Sequence, residues 1–168
     1  LDYNPIKAEE LLADLFNAFD FNLQRAQSKQ FTVPKLILWR LPKSLQALKD
    51  TSIRKQLFIK ILLPLIIDKN KAILKKRRKI ITLKKRGLPN LKKRQKSWIM
   101  EQFRYYKILP LREPESETHA KLFNELLLRV NIIPIPLAIA QAAIETGWGT
   151  SRFALIGNAL FGQWTWDK

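Results

Sequence analysis

At 168 residues the chain can bury one sizeable core, so we expect a single domain that also carries an arm. Hydrophobic residues make up 46% of the sequence, which excludes an intrinsically disordered chain, and the lack of cysteine excludes disulfide frameworks and thiolate metal sites. The formal net charge of +17 indicates an anionic partner, and charge alone leaves nucleic acid, anionic lipid and an acidic wall polymer open.

The first fifty residues are predicted to form an amphipathic arm followed by an extended strap. Residues 7–28 repeat apolar side chains at helical spacing, which predicts a helix with one apolar face. Between Phe31 and Leu48, two prolines bracket a short run that suits neither a long helix nor a central strand: Pro34 and Pro42. The chain starts at Leu1 and shows no signal peptide, so we expect a trimmed or mature form.

A long helix is predicted to begin near Thr51 or Ser52, which are good caps, and to end at Arg86 with a bend at Pro64. Two apolar columns recur every seven positions, so one stripe should face protein: Ile66, Ile73 and Ile80, and Ile67, Leu74 and Ile81. The arc between the columns holds three polar residues: Asn70, Arg77 and Lys84. Because an unpaired buried charge is costly, a cation there should contact a carboxylate or a carbonyl.

The residues after this helix predict a turn and a second helix, which together make a basic helical hairpin within residues 51–110. Gly-Leu-Pro-Asn at 87–90 favours the turn, and a helix over about 91–106 would bring four aromatic or aliphatic side chains onto one face: Trp98, Ile99, Phe103 and Tyr106. Residues 69–107 hold 16 Lys or Arg and one acid, Glu101, giving +15 against +2 for the rest of the chain. This charge indicates either a solvated outer face or attraction to a polyanion.

The last part, residues 111–168, is predicted to hold two further helices and the candidate catalytic residue. Asn131 should break the first of them, and Pro136 suits the first turn of the second. The alanines of the second helix predict close packing on all sides, so we expect a buried central helix. Gly147 and Gly149 would end it, which puts Glu145 in its last turn.

A carboxyl group at a helix C-terminus meets the negative end of the helix dipole. Four aromatic side chains could also enclose Glu145 in apolar surface: Trp148, Phe161, Trp164 and Trp166. Such surroundings favour the neutral acid that a glycosidase uses to protonate a departing sugar oxygen, and the two glycines would let the backbone and a substrate approach closely. The alternative is an ordinary helix-end glutamate with no chemical role.

The run from Ile133 to Trp164, IPIPLAIAQAAIETGWGTSRFALIGNALFGQW, resembles the catalytic core of the bacterial glucosaminidases, glycoside hydrolase family 73. The N-terminal region from about Val33 is more loosely similar to the Bax-like subgroup. The resemblance implies a mainly α, lysozyme-like fold that continues into a β-rich lobe in the family. It also implies a peptidoglycan hydrolase of the bacterial periplasm or cell envelope, which cleaves β-1,4 bonds between sugars without a cofactor or a metal.

The resemblance assigns roles to individual positions. Glu145 matches the catalytic acid, and the residues that match the following turn and the cleft floor and edge are Ser151, Asn158, Phe161, Gln163 and Trp164. Gln141 lies one helical turn before Glu145, where its amide can reach the acid or the sugar, and Trp148 would keep water away. Ala159 departs from the family, which often has Asn there.

The expected partners are peptidoglycan strands, with an anionic wall polymer or a membrane surface held by residues 69–107. No specific nucleic acid is expected, because the sequence has no helix-turn-helix, zinc-finger or RNP pattern. A non-catalytic module that binds glycan or polyanion through the basic hairpin stays open as the alternative function.

Overall fold

The computed structural model describes residues 14, 16, 33–38, 40–108 and 116–161, with the side chains of 116–118 left aside. The described residues form six α-helices, which are α1 (Ser44–Ala47), α2 (Thr51–Arg86), α3 (Lys93–Tyr105), α4 (Ser116–Arg129), α5 (Ile135–Thr146) and α6 (Arg152–Gly157). A short 3-10 helix, Leu88–Asn90, precedes α3. No strand occurs in these ranges, and the mainly α class expected for this part of a lysozyme-like core is confirmed.

The chain divides into two compact units. The first, here called the two-segment unit, comprises residues 1–68 and 134–168, and the second, the middle unit, comprises residues 69–133. The N-terminal part of α2 therefore belongs to the two-segment unit, and its remainder belongs to the middle unit. The division into arm and strap, basic hairpin and catalytic part, at 1–50, 51–110 and 111–168, stays a prediction.

The predicted bounds of the long helix are confirmed, but the residue that caps it is different. Asp50 Oδ1 accepts hydrogen bonds from the backbone N–H groups of Ser52, at 2.7 Å, and Ile53, at 3.1 Å. Asp50 is thus the N-cap, since its carboxylate satisfies two backbone donors that the first turn leaves free. At the other end, Gly87 has a φ of +76°, and the predicted turn at 87–90 follows.

The core of the two-segment unit surrounds the first half of α2. Leu57, Phe58, Ile61 and Leu62 are at most 5% exposed there and pack with buried residues of the strap, α1, α5 and α6. Residues 33–38 are neither helix nor strand, and partly buried side chains of this run pack against the core, as expected of a strap. Of the predicted arm at 7–28, only Asp14 and Phe16 are described; both are helical, and the rest lies outside the described residues.

The core of the middle unit lies between the second half of α2 and helices α3 and α4. Phe103 and Phe123 pack edge to face with their ring centroids 5.4 Å apart. The predicted apolar face of α3 is confirmed, because Ile99 and Phe103 are fully buried and Trp98 and Tyr106 pack partly buried against the same cluster.

The polar arc of α2 holds the end of α4, as the spacing predicted. Arg77 Nη1 donates to the backbone carbonyls of Leu127 and Val130, the latter at 2.8 Å. Asn70 Nδ2 donates to the carbonyl of Ile133 at 2.9 Å. The last carbonyls of a helix lack partners within the helix and carry partial negative charge, so a guanidinium is well suited to them. Lys84 contacts a side-chain amide instead, with Nζ 2.5 Å from Asn124 Oδ1.

The prediction that α5 is buried on all sides is wrong. Ala138, Ala142, Ala143 and Thr146 are buried, whereas Leu137 is 59% exposed and Ile144 is 82% exposed. The small residues let α5 approach its own core closely along one face, but no other described element covers the opposite face. No helix of the described part is long and apolar enough to cross a membrane.

Candidate active site

Glu145 lies in the last turn of α5, on the face that the helix leaves exposed. Gln141, four residues earlier, is exposed on the same face, as the helical spacing predicted. Among the described residues, the Glu145 carboxylate has no ion-pair partner. The structure therefore presents a carboxylate and an amide side by side, both open to a ligand.

The predicted apolar enclosure of Glu145 is wrong for the residues that the structure describes. Trp148 is half-buried and packs against the unit's own core, with its ring 5.8 Å from that of Phe58 and inclined at 71°. Lys55 Nζ lies 5.1 Å from the centroid of the same ring. Phe161 is 50% exposed, and Trp164 and Trp166 lie outside the described residues.

Three consecutive residues with positive φ end the helix behind Glu145. Gly147 (+56°), Trp148 (+59°) and Gly149 (+81°) all have left-handed backbone conformations. The N–H of Trp148 donates to the carbonyl of Ala143 at 2.9 Å, so one of the last carbonyls of α5 gains a partner. Left-handed backbone is costly for a non-glycine residue, and its occurrence at Trp148 requires packing that holds the turn.

Thr146 is one of the residues that stabilise this turn, and it was not predicted from the sequence. Its side chain is fully buried; the Oγ1 hydroxyl donates to the carbonyl of Ala142 at 2.6 Å and accepts from the N–H of Gly149 at 2.9 Å. The Thr146 carbonyl accepts from the N–H groups of Thr150 and Ser151. The residue after Glu145 is thus bonded on both sides of the turn, which fixes the backbone that carries the carboxylate.

Gly149 serves the protein's own packing, which corrects the expectation that it makes room for a substrate. It is buried, and a Cβ atom there would lie 3.0 Å from Phe58 Cδ2 and 3.2 Å from Leu45 Cδ1. Contacts that short force a neighbour to move, and both neighbours belong to a close-packed core. Glycine is required at this position by its conformation and by the space available.

Ser151 is the N-cap of α6, because its Oγ accepts a hydrogen bond from the N–H of Ala154 at 3.2 Å. This bond gives Ser151 a structural role at the start of α6. Its contact with substrate stays a prediction, as does that of the exposed Phe161.

Asn158 ends α6 in a left-handed conformation with φ of +53°, and its N–H donates to the carbonyl of Phe153. Together with Leu160 it borders a cavity of about 110 Å³, whose other lining residues are Leu38, Arg40, Leu41, Ile61, Leu62 and Leu65. Glu145 is not among the residues that line this cavity. Gln163 and Trp164 lie outside the described residues.

No group of three or more acidic or histidine side chains in the described ranges is placed to hold a metal ion. The described part of the candidate site comprises Glu145 and Gln141 on α5, the turn after α5, and the two ends of α6.

The chain is similar to known proteins over the segment that holds α5 and α6. The family model described as mannosyl-glycoprotein endo-beta-N-acetylglucosaminidase matches residues 120–168, which include α5, the turn and α6. Protein bax of Escherichia coli (strain K12) is 33% identical over 110 residues, which cover 66% of this chain and 38% of that protein. The chain thus spans well under half the length of this relative. No solved structure matches. These similarities support assignment of the chain to the glucosaminidase family, among its Bax-like members.

Proposed function

We propose that the protein hydrolyses β-1,4 glycosidic bonds of peptidoglycan after N-acetylglucosamine, with Glu145 as the general acid. The observation that carries this proposal is an exposed carboxylate on a turn whose backbone is fixed by the buried Thr146, within the segment that matches the glucosaminidase model. The family assignment supports hydrolysis of a glycan in general. The bond that is cleaved and the identity of the acid are proposed in addition.

Glu145 is the only acid between residues 133 and 161, so no nearby carboxylate competes with it for this role in the sequence. In the proposed reaction its proton passes to the glycosidic oxygen as the bond from the anomeric carbon to that oxygen breaks, and water supplies the new hydroxyl at that carbon. Glycosidases pair such an acid with a second carboxylate, and the separation of the two predicts the stereochemical outcome.

The exposed residues around Glu145 suit a sugar chain as a ligand. Gln141 offers one hydrogen-bond donor group and one acceptor on the same face of α5, and Leu137 and Ile144 add exposed apolar surface. Sugar rings present hydroxyl groups at their edges and C–H groups on their faces, so this mixture is complementary to them. Ser151, Asn158 and Phe161 extend the proposed binding surface, with Gln163 and Trp164 following in the sequence.

A Glu145→Gln substitution tests the assignment, because it keeps the shape of the side chain and removes the transferable proton. We expect hydrolysis of purified peptidoglycan to fall by about 100-fold or more, in line with general acid catalysis. Glu101→Gln is the matched control, since Glu101 is also exposed on a helix but belongs to the middle unit. It should keep full activity. Equal rates for the two variants would contradict the proposal.

The alternative is a non-catalytic module that binds glycan or a polyanion. The many cations of the middle unit favour a polyanion as its ligand. Such a module would sediment with cell walls without cutting them. Its binding would fall steeply with added salt and would be unchanged by substitution of Glu145. Release of soluble fragments that depends on Glu145 separates the two functions, and the assay should include the longest natural form of the protein.

Both functions assign the protein to the bacterial periplasm or cell envelope, where peptidoglycan lies. An anionic wall polymer or a membrane surface near the glycan would meet residues 69–107. This location is proposed from the family. Detection of the tagged protein in the periplasmic fraction of its host would support it, and confinement to the cytoplasm would contradict it.

A further inference from the structure

One face of α2 within the middle unit carries a band of exposed cations, here called the cationic ridge. Its members are all exposed and recur at intervals of three, four or seven residues: Lys71, Lys75, Arg78, Lys79, Lys85 and Arg86. At a rise of about 1.5 Å per residue the band extends for about 22 Å. At 3.6 residues per turn the six positions fall within about a third of the helix circumference, so the charges form a band along one face.

The ridge does not include the two cations of α2 that bond to α4. Arg77 and Lys84, on another side of the same helix, are half-buried and bond to α4. Within the described residues, none of the ridge cations forms an ion pair, and Glu101 is the only acid between residues 69 and 107. Six like charges on one helix face repel one another, and an anion that lies on the ridge would relieve this repulsion.

The form of the ridge indicates a linear partner. The large apolar side chains next to it on α2, Ile80 and Leu83, are at most 2% exposed, and Ile81 at its border is 37% exposed. The ridge therefore has little apolar surface to insert into a bilayer, which an interfacial amphipathic helix would have. A band of charges one helix face wide matches a flexible chain better than it matches a plane.

The aromatic residues beside the ridge argue against recognition of bases. Lys79 Nζ lies 3.7 Å from the ring centroid of the half-buried Trp98, so it occupies one face of that ring. Lys76 Nζ lies 5.5 Å from the ring centroids of both Tyr105 and Tyr106. Proteins that bind single-stranded nucleic acid without sequence preference use open aromatic faces on which successive bases stack. Here Tyr105 alone, 74% exposed, offers such a ring.

We propose that the cationic ridge of α2 binds a linear, base-free polymer that carries a phosphate charge in every repeat. Lysine binds phosphate as a point charge, so the ridge recognises charge density along the chain and makes no demand on the groups between the phosphates. The proposal is independent of hydrolysis at Glu145, and a Glu145→Gln variant must bind the polymer as the wild type does.

The test uses the whole chain and end-labelled inorganic polyphosphate of defined length, with fluorescence anisotropy measured from 50 to 200 mM salt. If six phosphates are neutralised, the slope of log K against log salt should be about −4, which corresponds to a loss of about 300-fold over this range. The variant Lys71→Gln/Lys75→Gln/Arg78→Gln should reduce the slope to about −2.

The matched control is Lys93→Gln/Lys96→Gln/Arg104→Gln, which removes the same number of exposed charges from α3 in the same unit. Circular dichroism should show unchanged helix content in both variants. The control should keep a slope close to that of the wild type. Equal reduction in both variants, or in neither, would overturn the assignment to the ridge.

Two further probes test the kind of partner, each at the same concentration of phosphate. Oligo(dT) tests whether bases add affinity, and vesicles of phosphatidylglycerol and phosphatidylcholine test whether a fluid surface is preferred. Tighter binding of polyphosphate than of either probe is expected. Binding of the oligonucleotide or the vesicles as tight as, or tighter than, that of polyphosphate would overturn the base-free linear polymer.

Discussion

The end of α5 is held in a different way from the helix ends of the middle unit. In the middle unit, cations hold these ends: Arg77 bonds the last carbonyls of α4, and Arg129 Nη1 donates to the carbonyl of Tyr106, just after α3, at 2.6 Å. In the two-segment unit, the end of α5 is held by neutral groups, namely the Thr146 hydroxyl and the left-handed turn from Gly147.

The difference matters because the end of α5 carries Glu145, the proposed general acid. A guanidinium at the end of α5 would satisfy the free carbonyls, but it would also pair with Glu145. A carboxylate held in an ion pair is a poor proton donor, because the cation favours its charged form. Neutral capping fixes the backbone and leaves Glu145 without an ion-pair partner among the described residues. Among the described residues, the end of α5 is thus bonded by neutral groups, whereas arginines bond the ends of α3 and α4.

The largest expected effect comes from Gly149→Ala, which should destabilise the two-segment unit. A positive φ costs a non-glycine residue about 1–2 kcal/mol, and crowding of a packed core costs about 1–3 kcal/mol more. We expect a loss of about 3 kcal/mol in the free energy of unfolding, measured with urea. Gly157→Ala is the control, since Gly157 is exposed, lies in α6 and has no positive φ. If Gly149→Ala costs under 1 kcal/mol, the close packing described for this turn is wrong.

Arg77→Met tests the cationic capping of the middle unit. The substitution keeps much of the side chain's length but leaves the carbonyls of Leu127 and Val130 without their charged donor, at a cost of about 2 kcal/mol. Arg78→Met is the matched control, because Arg78 is exposed on the ridge and its side chain has no such bonds. Urea unfolding should separate the two variants by more than 1 kcal/mol. Equal stabilities would show that Arg77 does not hold α4.

Thr146→Val tests the neutral capping behind Glu145. Valine has the same shape, but it cannot donate to the Ala142 carbonyl or accept from the Gly149 N–H, both of which are buried, so we expect a loss of about 1.5 kcal/mol. Thr82→Val is the control: its hydroxyl makes the same kind of bond, to the carbonyl of Arg78, at an exposed position. Water can replace that bond, and the control should lose under 0.5 kcal/mol. A reversed order of the two losses would contradict the role given to Thr146.

Gln141→Lys places a cation one turn before Glu145, near the end of α5, where the described structure has none bonded. Pairs at this spacing contribute only about 0.3–0.5 kcal/mol to stability, so unfolding should change little. Hydrolysis should fall by about fivefold to tenfold, because the new cation favours the charged carboxylate. Gln141→Met removes the amide without adding charge and separates the two causes. If the methionine variant loses as much activity as the lysine variant, the fall is due to loss of the amide.

The features that depend on local periodicity could be predicted from the sequence. The bounds of α2, the polar arc of Arg77 and its neighbours, and the turn at Gly87 all follow from spacing along one helix and from the preferences of glycine and proline. The N-cap was expected at Thr51 or Ser52 and is Asp50 instead; all three residue types are good caps, so residue type alone does not choose among them.

The features that depend on tertiary contact could not be predicted. Trp148 was expected to enclose Glu145, but its ring packs against Phe58 on α2, and no local pattern encodes that contact. Likewise, the alanines of α5 permit close packing on any side without saying which sides have a neighbour. Thr146 was missed because a threonine within a helix is as common on a surface as in a turn. Its position between an acid and a glycine is the signal that could have singled it out.

The central claim is that Glu145 donates the proton that cleaves peptidoglycan after N-acetylglucosamine, and mass spectrometry of the ends released from purified peptidoglycan tests it most directly. Wild-type protein should release fragments with new reducing N-acetylglucosamine ends, and the Glu145→Gln variant should release none above background. New reducing ends on N-acetylmuramic acid would contradict the proposed bond. Undiminished N-acetylglucosamine ends from the variant would contradict the role of Glu145.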